Sequence, residues 1–542
     1  MKRNWLYEGI LGGISALVVA GLSYLGFVFA GLPRPELVIF DWLARLLPGD
    51  LITLGIDSMV AVISRFNLGP TASVSKAIEM TMAVLLFMLI GAVFAIVLGF
   101  IGSRNPHRIV LSGALGGLLL ALFVLLIMNT LPLPPAGPLL SALWLGLIFP
   151  VWGAVLGRLL RILYAQDIEP EGGLTRRQFL YLVGVGSFSI LLTAAGVSIL
   201  SRDEEELADT GAAGEPGNAE AMANEESTAG PAASPPEEVL ADRFPPVQGT
   251  REELTSNSNF YRIDINSMPP QIDGDTWQLE VGGLVNNPLI LSIDDIRSRP
   301  AVSQAITLEC ISNRLAGDLI STSLWTGVRL RDILEEAGMQ SGALEVYIES
   351  VDGFYESVPM EEAMDERTLL VYEMNGEPLP VEHGYPLRIY IPDHFGMKQP
   401  KWITRMEVIN YEGPGYWVER GWSDTAIPPT TSVIDAVATD EFDPEEGFVP
   451  VGGIAYAGAR GISKVEIQVD NGPWEEAELR QPALSPLTWV QWRYNWPSVP
   501  GRHTFRVRAY DGNGDLQETE PSPPHPDGAT GVHSVSERIP EA

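Results

Sequence analysis

Apolar residues concentrate in the first 200 positions of this chain and afterwards fall into short alternating pieces. Trp5 to Leu32, Ala77 to Ile101, Ile109 to Leu131, Leu139 to Leu160 and Tyr181 to Leu200 are five apolar runs. Each is close to the roughly 20 residues a helix needs to cross about 30 Å of hydrocarbon. The first run lies behind Lys2 and Arg3 with no small-residue cleavage site, so it reads as a retained span that starts in the cytoplasm. Glu36 to Phe66 is also apolar, but Asp41, Arg45, Pro48, Asp50, Asp57 and Arg65 interrupt it, which suits an interfacial or re-entrant segment better than a span. Arg104 and Arg108 join the second and third runs, and Arg158, Arg161, Arg176 and Arg177 join the fourth and fifth. Excess positive charge marks cytoplasmic loops, so five crossings place everything after Leu200 on the extracytoplasmic side of a cell membrane. One more crossing within Glu36 to Phe66 would invert that topology. Thr175-Arg176-Arg177-Gln178-Phe179-Leu180, directly before the fifth run, has the form of a twin-arginine export signal, although two arginines at a helix start also serve as a topology determinant alone.

From Arg202 to Glu253 the pattern stops: Ala, Gly, Pro and Ser dominate, with fourteen acids against three arginines. Such a segment buries too little apolar surface to offset chain entropy, so residues 201–255 read as a disordered acidic linker. Beyond it, Trp277 to Val281 reads as a strand, Gly282-Gly283 as a turn, Ile293 to Arg299 as a short helix capped by Ser292, and Leu330 to Ala337 as an amphipathic helix ended by Gly338. Past Val433 the pattern is short strands and turns: Val449 to Tyr456, Lys464 to Val469 before Asp470-Asn471-Gly472, Thr488 to Tyr494, and Gly501 to Tyr510. That is the pattern of an all-β sandwich. Trp489, Trp492 and Trp496 read there as core or interface rather than catalytic residues.

Charge sharpens the division. The first 177 residues hold twelve Lys/Arg against nine Asp/Glu, a net of +3, so the remainder carries a net charge of about −36 within the whole-chain −33. A strongly acidic soluble half would repel phosphates, which argues against nucleic acid as partner. The membrane half has a single histidine, His107, in a short loop, so a haem held between two helix histidines of this chain is not expected, and no haem-attachment motif is present.

The candidate chemistry centres on Cys310, the one cysteine of 542 residues. Ala305 to Leu308 is a strand that delivers it to a loop, where Ser312-Asn313 is turn chemistry. A lone thiol cannot form an intramolecular disulfide; it is a small buried apolar residue, a soft metal ligand or a nucleophile.

Several ordered motifs bear on that choice. Thr307-Leu308-Glu309-Cys310-Ile311-Ser312-Asn313 is followed by Gly317-Asp318-Leu319-Ile320 and by Trp325-Thr326-Gly327-Val328-Arg329-Leu330-Arg331-Asp332. Further on come Tyr372 to Pro380, His383-Gly384-Tyr385-Pro386-Leu387-Arg388 and Lys398-Gln399-Pro400-Lys401-Trp402. Together these resemble the molybdopterin-binding domain of the sulfite oxidase family, over roughly residues 256 to 535. The expected fold is multidomain: from the apolar and acidic patterns, all-α membrane helices (1–200) and the linker (201–255), and, as the resemblance implies, a mixed α+β sulfite oxidase-like molybdopterin-binding domain (256–428) and an immunoglobulin-like β-sandwich dimerisation domain (429–542).

It also implies roles. Cys310 matches the thiolate that coordinates molybdenum, and Arg262 an active-site arginine whose fork geometry suits an oxyanion. Asp352, His383, Arg388 and Lys401, with Lys398 and Asn313, match positions around the pterin and its phosphate, where a dianion needs cationic donors. Three departures fall on the substrate side. Asp264 replaces a pterin-contacting histidine, Arg314-Leu315 stands where sulfite oxidases have two arginines, and Trp422 stands where they have an active-site tyrosine. The expected activity is a membrane-anchored, two-electron oxygen-atom transfer on a small oxyanion, with a separate electron-transfer protein or quinone-linked partner, membrane lipid around the anchor, and a homodimer through the last domain. The competing readings are an S-oxide reductase fed by a membrane electron donor, and a tethered non-catalytic binding module that kept the fold.

Overall fold

A computed structural model describes residues 4–66, 68–105, 107–131, 136–165, 243–439, 447–497 and 499–540. The fifth apolar run, the twin-arginine segment and residues 201–242 lie outside them. The described residues form two compact units, one of residues 4–47, 75–165 and 265–271, the other of 48–74, 243–264 and 272–540.

Among the described residues six helices come first: α1 (Trp5–Ala30), α2 (Pro35–Leu46), α3 (Gly49–Phe66), α4 (Thr71–Arg104), α5 (Ile109–Met128) and α6 (Gly137–Ala165). Within α1, α4, α5 and α6 lie four stretches long and apolar enough to cross a membrane, and they occupy four of the five apolar runs. Asn4 caps α1 by accepting from the Leu6 amide at 3.2 Å, and Gly31 closes it at φ 61°, where a side chain would be strained. The helices approach through glycines: a Cβ on Gly12 would lie 2.2 Å from the Gly91 carbonyl oxygen, and one on Gly113 2.0 Å from that of Gly153. Phe87, Phe149 and Trp152 fill the space between them, and the Trp152 indole donates to Ser15 Oγ at 2.9 Å. Large apolar side chains such as Leu85, Leu89, Leu119 and Leu126 face outward, as lipid-facing positions do.

Glu36 to Phe66 resolves into α2 and α3, neither of which joins the four long apolar helices; α2 has 12 residues, and α3 carries Asp50, Asp57 and Arg65. The helical unit also takes in residues 265–271. There the Ser267 hydroxyl donates to Asp41 at 2.6 Å, Arg45 to Asn266 Oδ1 at 2.7 Å and Lys76 to the Asn266 carbonyl at 2.9 Å. Burial pushes the Asp41 carboxyl up to about 6.

The second unit begins its regular structure with β1 (Gln278–Gly283), β2 (Leu289–Ser292) and α7 (Ile293–Arg297). Ser292 and Asp295 form a reciprocal capping box at the start of α7. Next come β3 (Val302–Glu309), β4 (Ile320–Arg329) and α8 (Leu330–Ala337), which Gly338 ends in the left-handed region at φ 69°. Then follow β5 (Glu345–Ser350), β6 (Tyr355–Pro359), α9 (Met360–Ala363), β7 (Leu369–Met374), β8 (Glu377–Pro378), β9 (Arg388–Tyr390) and β10 (Ile403–Ile409). Two sheets result, in the orders β2-β1-β10-β5-β6 and β3-β4-β7-β8, with β9 paired to β7. Gly282 and Gly283 are not the expected turn. They extend β1 beside Glu407 and Val408 of β10, and a Cβ on Gly283 would meet the Val408 carbonyl oxygen at 2.3 Å, so the glycines serve a close strand approach.

The last part holds β11 (Thr431–Val437), β12 (Phe448–Tyr456), β13 (Ile462–Val469), β14 (Trp474–Leu479), β15 (Val490–Pro497), β16 (Gly501–Asp511) and β17 (His533–Ile539). They run in the order β11-β12-β15-β14-β13-β16-β17 around a core of Val449, Val465, Trp492, Trp496, Phe505 and Val507, consistent with a β-sandwich. Trp489 is buried with Ile320, Val433, Ile454 and Tyr456.

Residues 243–255, expected as the end of the acidic linker, are instead built into this unit. Glu253 accepts from both Arg243 and Arg480, Arg251 pairs with Asp435 at 2.8 Å, and the Thr255 amide donates to the Thr322 carbonyl at 2.7 Å. Composition hid this, because the partners lie up to 227 residues away.

Candidate active site around Cys310

Strand β3 brings Cys310 to its place, and it is held on both sides. It pairs with β4 along its length, while its Thr307 amide donates to the Leu487 carbonyl at 3.0 Å and its Thr307 carbonyl accepts from the Tyr456 hydroxyl at 3.1 Å. The loop that follows is pinned by its own backbone. The Cys310 amide donates to the Leu319 carbonyl at 2.9 Å, and the Cys310 carbonyl accepts from the Asn313 amide at 2.9 Å. The side chain of Asn313, expected at the cofactor, serves this loop: it donates to Glu309 Oε1 at 2.9 Å and accepts from the Leu319 amide at 3.0 Å. The thiol is buried, with Ser312 Oγ at 3.1 Å, and burial holds it above the ordinary thiol range. Burial also pushes the neighbouring Glu309 carboxyl up to about 7, with one of its oxygens lacking a partner among the described residues.

Five residues with charge or basic nitrogen converge nearby. Asp264, its side chain fully buried, forms ion pairs with Arg262 and Lys401. Lys401 Nζ also donates to the carbonyls of Ile263 at 3.3 Å and Glu382 at 3.0 Å. Arg388 donates to the His383 carbonyl at 3.1 Å and lies 4.9 Å over the Trp325 ring, a cation–π distance. His383 Nε2 is 3.1 Å from the Asn257 carbonyl, and its ring meets Phe260 edge to face at 5.3 Å. Tyr261 ties this cluster to the cysteine, because its half-buried ring lies within electrostatic reach of both Cys310 and Arg388. A Cβ on Gly396 would lie 2.6 Å from the Tyr261 hydroxyl and 3.4 Å from the Glu309 carbonyl oxygen, which brings the Gly396–Lys398 turn against the same place.

Burial, reinforced by Lys401 and Arg388, drives the His383 pKa down to about 3, so the ring is neutral at physiological pH. The folded pKa lies below the unfolded value of 6.5, so below pH 6.5 the unfolded chain takes up a proton that the folded chain refuses. Stability from this group is complete above pH 6.5 and lost as pH falls towards about 3. A His383→Asn variant, in thermal melts followed by tryptophan fluorescence, is therefore expected to lose up to about 1.4 kcal/mol less per pH unit across that window than the parent protein. Equal slopes would remove His383 from the acid response.

The remaining expected residues sit in other settings. Lys398 is buried and paired with Glu356 at 3.0 Å and Asp424 at 3.6 Å. Burial raises Glu356 to about 7 despite that lysine. Asp352 is buried in the β5–β6 turn and accepts from the Phe354 amide at 3.0 Å. Trp422 packs with Ile311, Phe395 and Met397, and its indole nitrogen has no acceptor among the described residues. Arg314 lines a small separate crevice with Arg251, Glu309 and Asn313, which none of Arg262, His383, Arg388 and Lys401 lines. Sequence reasoning missed Tyr261 and Trp325 as neighbours of the site. The signal for Tyr261 was its place between Phe260 and Arg262, and Trp325 was read only as part of a motif.

Comparisons with known proteins address the family of the chain. The Oxidoreductase molybdopterin binding domain family matches residues 266–417. Human mitochondrial sulfite oxidase is 28% identical over 340 residues, covering 54% of this chain and 60% of that protein. The uncharacterized oxidoreductase YuiH of Bacillus subtilis (strain 168) is 31% identical over 180 residues, covering 33% of this chain and 86% of that one. Among solved structures, the sulfane dehydrogenase SoxCD of Paracoccus pantotrophus aligns over 55% of this chain and 85% of its own, at 21% identity and a TM-score of 0.47. The chain spans 60% of the length of the human enzyme. It belongs to the sulfite oxidase family of molybdopterin-dependent oxidoreductases.

The residues present fit such a cofactor. A buried thiol suits a soft metal, buried cations suit a phosphate, and Arg262 Nη2 is buried without an acceptor among the described residues, an arrangement costly to leave unsatisfied.

Proposed function

We propose that this chain is a membrane-anchored enzyme that transfers an oxygen atom, in a two-electron step, to or from a small sulfur compound. The observation that carries the proposal is a buried thiol at a pinned strand end beside buried Arg388 and half-buried Lys401 and Arg262. When bound, the molybdenum–pterin group supplies the two-electron redox chemistry. Cys310 would hold the metal as its thiolate. Arg388, His383 and Asp352, with Lys398 and its turn, would hold the pterin and its phosphate, while Arg262 orients the substrate oxygen through charge-assisted donation. Tyr261 and Trp422 wall the place where the substrate reacts and limit water there. In the oxidative direction sulfite and water give sulfate, two protons and two electrons, and the electrons leave to a separate electron-transfer protein or quinone-linked partner.

The four long apolar helices support an anchor, and the arginine-rich loops support placing the catalytic part outside the cytoplasm. Residues 256–428 would then be the catalytic domain and 429–542 a dimerisation domain. The S-oxide reductase reading is favoured over sulfite oxidation by one observation: Asp264 pairs with Arg262 and Lys401 and so reduces the positive charge that a sulfite dianion would need. One purified preparation, assayed for sulfite oxidation with ferricyanide and for S-oxide reduction with reduced viologen, tests both. Turnover in either direction supports the enzyme; a molybdenum-loaded protein with neither would favour the non-catalytic module.

A further inference from the structure

We propose that Asp264 sets the charge class of ligand this site accepts, favouring a neutral or singly charged S–O compound over a dianion. The inference rests on the molybdopterin reading above and deepens it. The fully buried Asp264 carboxylate accepts one hydrogen bond from the Lys401 ammonium, and the Ile263 and Glu382 carbonyls accept the other two at 3.3 and 3.0 Å. An ammonium has three donors, so Lys401 has none left for a ligand. The same carboxylate takes Arg262 Nε, whereas Arg262 Nη2 is buried without an acceptor among the described residues. Arg262, through Nη2, and Arg388 are therefore the cations of this cluster that remain open to ligands.

Charge balance gives the consequence. Arg262, Arg388 and Lys401 against Asp264 leave two positive charges, because His383 stays neutral between Lys401 and Arg388. Lys398 adds nothing, being matched by Glu356 and Asp424. The dianionic phosphate of a bound pterin balances both charges. A second dianion would then enter a poorly solvated site where these side chains offer no net positive charge to meet it. A neutral S–O group needs only the Nη2 donor.

The test uses the full-length, molybdenum-loaded protein in detergent, titrated with sulfate and separately with dimethyl sulfoxide by tryptophan fluorescence. Molybdenum per chain is measured for every variant. Asp264→Asn raises the net charge by one and is expected to tighten sulfate binding at least about 10-fold while changing dimethyl sulfoxide less than about 2-fold. Lys401→Gln lowers the net charge by one and is expected to weaken sulfate by a similar factor, which keeps the inference open to refutation where Asp264→Asn does not fold. Unchanged sulfate affinity in a variant that retains molybdenum overturns the inference alone. A folded parent protein without molybdenum overturns the molybdopterin reading as well.

Discussion

Cys310→Ser is expected to leave the chain folded and to remove oxygen-atom transfer. The thiol contributes little to packing: its side-chain hydrogen-bond partner among the described residues is Ser312, and the loop around it is held by the backbone bonds of Cys310 and the amide of Asn313, which a serine leaves in place. What changes is the ligand atom. A serine hydroxyl is a hard, weakly acidic donor where a soft metal needs a thiolate. Outer-shell partners of a metal typically matter by about 10–100-fold, so loss of the protein ligand itself should exceed about 100-fold in turnover. Activity in both assay directions and a near-ultraviolet circular dichroism spectrum check the two halves of this expectation. Retained turnover would relocate the metal ligand, and a collapsed spectrum would make Cys310 a core residue.

The second large effect is expected at Trp325. This side chain is 1% exposed, meets Phe260 edge to face at 5.4 Å and carries the Arg388 guanidinium over its ring. It therefore links the β3–β4 core to a cation of the site. Trp325→Ala should cost about 3–5 kcal/mol of stability through the cavity it leaves. It should also loosen Arg388, so cofactor retention is expected to fall together with the melting temperature. Trp325→Phe sacrifices no hydrogen bond, because the indole nitrogen makes none among the described residues, and should keep most of both. Alanine and phenylalanine variants that melt together would show that the ring contacts carry no weight.

What the sequence made legible was local. The strand before Cys310, the turn at Ser312-Asn313, the Ser292 cap and the Gly338 stop are each encoded within a few residues of where they act. The four long apolar helices were equally plain, since their pattern is continuous. Pairings across long separations were hidden. Lys401 reads as a phosphate ligand until Asp264, 137 residues away, is seen to occupy it. The pairing of Lys398 with Glu356, 42 residues earlier in the chain, was hidden in the same way. Motif position identified Asn313, Arg314 and Trp422 but not their surroundings, which are respectively the loop after β3, a crevice lined by Arg251 and Glu309, and an apolar cluster with Ile311. Gly282-Gly283 misled because the glycines that permit a turn also permit the close approach of β10.

The central claim is that Cys310 is a molybdenum ligand, and metal analysis addresses it most directly. The full-length protein and its Cys310→Ser variant, expressed in cells that make the molybdenum cofactor, are purified and their molybdenum per chain determined by mass spectrometry. The account predicts close to one molybdenum in the parent, the number a single thiolate ligand supports, and near none in the variant. A folded parent without molybdenum, or a variant that holds as much as the parent, would contradict it.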